Sequence, residues 1–287
     1  MPLRPSPHAL RRHARPLATT LGLAGLLTAA ACGQAPRAAP ADDATPAASA
    51  EPTSGTEVLQ RMHDRYADRW YHTLRFVQKT TRHAPDGSTK VTTWYETLAH
   101  TPERGTLLRI DVGAPAEGNG MLYSVDSTVS VRGGQVAARR APGNPFLPLI
   151  EGVYVQPVDS TVRQVGALDV DLSRVYTRDW NGARTWVVGA ASAADSVSPQ
   201  LWVETERLVV TRAIVEAAPG QPPLDIRLEG YEPVGRGWLA TRVTMLADGR
   251  PLQTEEYSDW AVDVELPPGM FDPEHWSVPS HWAPPKP

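Results

Sequence analysis

The chain has 287 residues, 41% of them hydrophobic and 21% charged, with a formal net charge of −4. That apolar content supports a packed core and excludes a wholly disordered chain, and the length allows one large domain or two small ones. A single cysteine, Cys32, excludes an internal disulfide and a cysteine-rich zinc site.

Residues 1–31 carry Arg4, Arg11, Arg12 and Arg15, no acidic residue, and then the apolar run Leu17–Ala31. A basic head, a short apolar stretch and small residues before a cut describe a secretory signal. The run is shorter than the ~20 residues a membrane span needs. Cys32 follows Ala29-Ala30-Ala31 and resembles the lipidated cysteine of a bacterial lipobox, with Ala29 where leucine is usual. The alternative is plain secretion with a leftover thiol. Loss of the four leading arginines takes the net charge from −4 to −8 and leaves no basic block. Nucleic acid then has no electrostatic footprint, and membrane contact is left to the N-terminal lipid. Gly33–Ser54 is Ala, Pro and small polar residues without apolar periodicity, which reads as a flexible tether. Gly33 after Cys32 resembles an outer-membrane sorting address.

Ser54 and Glu57 fit a capping box. Leu59, Met62, Tyr66 and Trp70 follow at helical spacing and predict an amphipathic helix of about five turns. From Leu74 the period changes to two. Pro85-Asp86-Gly87, Gly133-Gly134, Asn181-Gly182 and Asp248-Gly249 mark turns between alternating runs. About eleven strands with short links and no alternating helices mean an antiparallel sheet. The middle differs: Asn144–Val153 is apolar but broken by Pro145 and Pro148, which argues against a central strand. Asp159–Leu168 then predicts a short helix with Val162 and Val165 inward.

Four places, in order, resemble the LolA/LolB superfamily of bacterial lipoprotein and lipid carriers. They are the N-terminal amphipathic helix running into Phe76-Val-Gln78; Trp186-Val-Val followed by Leu201-Trp-Val-Glu-Thr205; Tyr231–Val234 into Gly237-Trp-Leu; and Leu266-Pro-Pro-Gly-Met-Phe-Asp-Pro273. The resemblance implies a mainly β fold of the α+β type. It is a curved, incomplete antiparallel β-barrel of about 11 strands, with an N-terminal amphipathic helix and short helices covering the concave face. Its domains would be a signal peptide at 1–31, a lipidated cysteine and tether at 32–54, a half-barrel at 55–276 and a Pro-rich tail at 277–287. The concave face would hold acyl chains of lipid or lipoprotein by nondirectional burial, about 0.8 kcal/mol per CH₂. Its expected wall is Phe76, Trp94, Leu108, Tyr123, Phe146, Leu147, Leu149, Trp186 and Trp202, with Tyr66 and Trp70 on the covering helix. Parity alone does not fix which strand face is concave.

No catalytic group, metal or cofactor is expected. His63, His72, His83 and His100 show no ligand spacing, Glu204 and Glu206 read as one solvated strand face, and no GxSxG, GxGxxG or P-loop occurs. The expected function is a membrane-anchored periplasmic carrier or acceptor, with donor or acceptor transport proteins as partners and the outer membrane as its address. The alternatives are a sensor or protein-interaction module on the same fold, similar to periplasmic regulators that bind anti-sigma factors, and a surface protein that uses the fold structurally.

Overall fold

Ser54 starts α1 (Gly55–Tyr66): its hydroxyl accepts from the Glu57 N–H at 3.2 Å, while the Glu57 carboxylate accepts from the Thr53 N–H at 2.9 Å. Val58, Leu59, Met62 and Tyr66 bury one stripe. The helix stops at three turns rather than five, because Asp68 takes a left-handed conformation (φ 60°) that a right-handed helix does not tolerate. Trp70 therefore sits in the link after α1 and not on it. The computed structural model describes residues 50–217, 220–279 and Trp282. The signal segment, Cys32, most of the tether and most of the tail lie outside the described residues.

Among the described residues thirteen antiparallel strands follow in one open sheet. The first six are β1 (Thr73–His83), β2 (Thr89–Thr101), β3 (Gly105–Val112), β4 (Gly120–Tyr123), β5 (Thr128–Arg132) and β6 (Gln135–Arg140). The other seven are β7 (Val175–Trp180), β8 (Ala183–Val188), β9 (Gln200–Glu204), β10 (Val209–Val215), β11 (Leu224–Val234), β12 (Gly237–Ala247) and β13 (Arg250–Val262). The run Met121–Arg132, which alternates as if it were one strand, breaks at a turn where Ser124 N–H bonds Ser127 C=O at 2.9 Å. The expected hairpin turns form: Asn181-Gly182 and Asp248-Gly249 both have two successive positive φ values, the geometry that matches strand twist.

Sheet order is β6-β5-β4-β3-β2-β1-β13-β12-β11-β10-β9-β8-β7. Two meanders are thus joined where β1 pairs with β13, at Gln78 opposite Tyr257. Register shifts between Arg75 and Val77, Val210 and Arg212, and Met245 and Leu246 bend the strands, as bulges do in curved sheets.

This order has a consequence for the middle of the chain. β6 and β7 are opposite edges, so the segment between them has to cross the sheet. It crosses as a π-helical stretch (Leu147–Gly152) running into α2 (Val153–Val155) and then α3 (Val158–Gly166). Pro148 sits in the first turn of this stretch, where its missing N–H leaves no helical hydrogen bond unmade. The apolar side chains of this crossing segment join α1 and one sheet face in a single core, which includes Leu147, Leu149, Val153, Tyr154 and Val165.

Candidate functional site

One face of the sheet carries the helices, and strand register decides which residues belong to it. Leu74, Phe76 and Gln78 alternate onto this face. They pair across to Leu98, Glu96 and Trp94, and those pair to Leu108, Ile110 and Val112. On the far side of β1 the same face presents Tyr257, Glu255, Met245 and Ile226.

Half of the face is filled. Trp70 stacks on Tyr154 with ring centroids 3.8 Å apart, and Tyr66 meets both rings edge-on. A Cβ at Gly237 would lie 2.9 Å from the Trp70 ring, so that position has to be glycine for the ring to seat. The Tyr66 hydroxyl donates to Arg207 C=O and the Tyr154 hydroxyl to Leu208 C=O at 3.1 Å. Beneath this cluster Glu151 is buried, accepting from Tyr71 Oη at 2.8 Å and Trp70 Nε1 at 3.2 Å; His100 Nε2 lies 3.4 Å from it.

The other half is open. A cavity of about 540 Å³ lies beside the crossing segment, with Leu147, Leu168, Val215 and Leu224 in its wall. A second space of about 240 Å³ lies under Phe146, over β1, β2, β3, β4, β11, β12 and β13. Gly143, Asn144, Pro145 and Leu224 border both.

The expected wall residues therefore divide. Trp94, Leu108, Tyr123 and Phe146 line the smaller cavity and Leu147 the larger. Tyr66, Trp70, Phe76, Leu149 and Trp186 belong to the filled core. Trp202 is a correction. Trp186 pairs with Val203, and Trp202 with Val187, so the two tryptophans point to opposite faces. Trp202 is 1% exposed, but it packs on the outer face with Val187 and Ala190, edge-on to Trp180. Arg212 lies over its ring, 4.7 Å from the centroid, and also binds Asp225 at 2.7 Å.

Glu204 and Glu206 do not share a strand face either. Glu206 sits in the turn, and buried Glu204 accepts from the backbone N–H groups of Glu206 and Arg207. Among the described residues no three His, Cys, Asp or Glu side chains are placed to hold a metal. No helix among them is long and apolar enough to cross a membrane.

The sequence reading missed a polar group inside the smaller cavity. Glu96 and Glu255 both line it and both are buried. Gln253 Nε2 and Tyr257 Oη donate to Glu255, each at 2.6 Å. Glu96 has no such support: its Oε1 is buried without a hydrogen-bond partner. Burial first, and the nearby Glu255 second, push the Glu96 carboxyl well above its ordinary range. Burial also raises Glu255, against the pull of its donors.

A raised carboxyl means that the folded state keeps a proton the unfolded chain has lost. The stability this proton supports is full below the unfolded value and declines as pH rises through the folded one. Thermal stability is therefore expected to fall as pH rises above the ordinary carboxyl range, and Glu96→Gln to flatten that fall. An unchanged slope in melting scans of the variant would refute the assignment.

No protein-family model matches the sequence, and no curated protein is similar to it at the sequence level. Solved structures do match. A putative outer membrane lipoprotein-sorting protein domain from Vibrio parahaemolyticus superposes with a TM-score of 0.52 at 11% identity, over 76% of this chain and 96% of its own. A DUF1329 family protein from Desulfovibrio piger gives 0.51 at 12% identity, over 76% and 95%. A LolA superfamily protein from Nitrosomonas europaea gives 0.48 at 13% identity, over 77% and 98%. The first two likenesses show the fold alone: the chain shares the open, curved antiparallel sheet of these two proteins, the half-barrel expected from the sequence.

Proposed function

We propose that the protein is an envelope carrier or acceptor that holds acyl chains of lipid or lipoprotein on the helix-bearing face of its half-barrel, anchored to a membrane through lipidated Cys32. The observation that carries this reading is the cavity of about 540 Å³ beside the crossing segment, within the range of small-molecule pockets, ~300–1,000 Å³. Its apolar wall suits a chain that binds by losing contact with water, where each buried CH₂ contributes about 0.8 kcal/mol. The fold shared with a lipoprotein-sorting domain supports the same class of cargo. The lipobox-like cysteine and the signal-like segment support a periplasm-facing address, with transport proteins as donors or acceptors.

Native mass spectrometry of the full chain carrying Cys32→Ala is expected to show co-purified lipid or fatty acid. Leu168 is half-buried in the cavity wall. Leu168→Arg should weaken an apolar fluorescent probe by about tenfold or more, since a guanidinium there opposes an apolar guest. Absence of both lipid and probe binding would overturn the carrier reading in favour of an interaction module. The anchor is tested separately: Cys32→Ala should release the protein from membranes, and unchanged membrane association would remove that part of the proposal.

A further inference from the structure

We infer that the smaller cavity recognises the ammonium end of an aliphatic amine, whose chain runs past Gly143–Pro145 into the larger cavity. This rests on the carrier reading and names the head group of its cargo. Three observations lead to it.

The first is the wall. Four aromatic rings, Trp94, Tyr123, Phe146 and Tyr257, line the space together with two carboxyls, Glu96 and Glu255. No Lys, Arg or His is among the described residues lining it. Ring faces attract a cation and give nothing comparable to an anion. A carboxylate head group would add a third acidic group to a desolvated pair.

The second is the vacant acceptor. Glu96 is 4% exposed, and its Oε1 has no hydrogen-bond partner. A buried acceptor left unsatisfied costs free energy that an arriving donor recovers. Glu255 differs, since Gln253 and Tyr257 occupy its two oxygens; Glu96 is the carboxyl left to meet an incoming cationic donor, with Glu255 beside it. A cationic N–H donor uses both groups at once, and charge-assisted hydrogen bonds are the stronger kind. A hydroxyl would satisfy Glu96 alone.

The third is size and continuity. About 240 Å³ takes a small head group and not a long chain, while about 540 Å³ next to it takes the chain. Gly143, Asn144, Pro145 and Leu224 border both spaces, so one amphiphile can reach from one into the other.

The test is titration calorimetry of the full chain carrying Cys32→Ala with octylamine, 1-octanol and octanoate, which share a chain and differ in head group. Octylamine, cationic at neutral pH, is expected to bind about tenfold or more tighter than octanol, with octanoate weakest. Glu96→Gln should erase the preference and leave octanol affinity within about twofold. Exposed Glu229 is the control, and Glu229→Gln should preserve it. If Glu96→Gln does not fold, Glu255→Gln gives the same readout.

Octanol equal to octylamine, or a preference that survives both cavity variants, overturns the head-group inference and leaves the carrier reading standing. Failure of all three probes overturns both. A second arm separates the sources of the amine. Transfer of lipid from phosphatidylethanolamine vesicles, but not from phosphatidylglycerol vesicles, places the ammonium on a lipid; binding of free octylamine with no vesicle transfer places it on a soluble amine.

Discussion

Replacing Glu151 by alanine is expected to destabilise the protein by about 3–5 kcal/mol. The residue lies in the π-helical stretch that crosses the sheet, and its carboxylate is where three elements meet. Trp70 and Tyr71 come from the link after α1, and His100 from β2. Burial, reinforced by Glu151 itself, holds the Tyr71 hydroxyl far above its ordinary range, so it stays a donor. Alanine removes the acceptor and leaves buried N–H and O–H groups unpaired, each costing ~1–3 kcal/mol. Glutamine keeps one acceptor oxygen and should lose about 1–2 kcal/mol. The denaturation midpoint is the measurement, with the slope checked for constancy. A loss under ~1 kcal/mol for the alanine variant would mean that apolar packing alone holds the crossing segment.

The crossing segment also shows what a sequence does and does not carry. Its prolines and apolar run separate it from the strands, but its path follows from sheet order, which no local pattern contains. Only the pairing of β1 with β13 puts β6 and β7 at opposite edges. Strand positions were legible because alternation and turn chemistry are local. The facing of strands was not, and Trp186 and Trp202 show why. They look alike in sequence, each followed directly by valine on a strand, and a pairing of Trp186 with Val203 sends them apart. Glu96 was nearer to being readable. It has the parity of Trp94 and Leu98 on one strand, so a charged group among core-facing neighbours was visible there. What parity could not supply was Glu255, 159 positions later, brought to the same cavity by β1 lying between the two strands.

The outer face holds the second large expected effect. Asp111→Ala is expected to cost about 3–5 kcal/mol, by leaving a buried guanidinium without its carboxylate. Arg109 and Asp111 are neighbours of one parity on β3, both fully buried, and their two parallel hydrogen bonds measure 2.8 and 2.9 Å. The same guanidinium donates to Met270 C=O at 3.1 Å and Ser277 C=O at 2.6 Å, and it stacks 3.9 Å from the Trp276 ring centroid. Trp276 in turn packs on Leu122, Val129 and Val131. A Cβ at Gly120 would collide with that ring at 2.6 Å. The pair thus straps residues 270–277 across the back of β3–β5, which would otherwise expose an apolar face. Because the desolvation cost of the two charges nearly cancels their attraction, removing both should cost much less than removing one. Arg109→Met with Asp111→Leu is therefore expected to recover most of the stability lost by Asp111→Ala. It would still free the Met270 and Ser277 carbonyls, so limited proteolysis after residue 264 should accelerate in the double variant. A double variant as unstable as the single one would show that the strap, and not the ion pair, carries the energy.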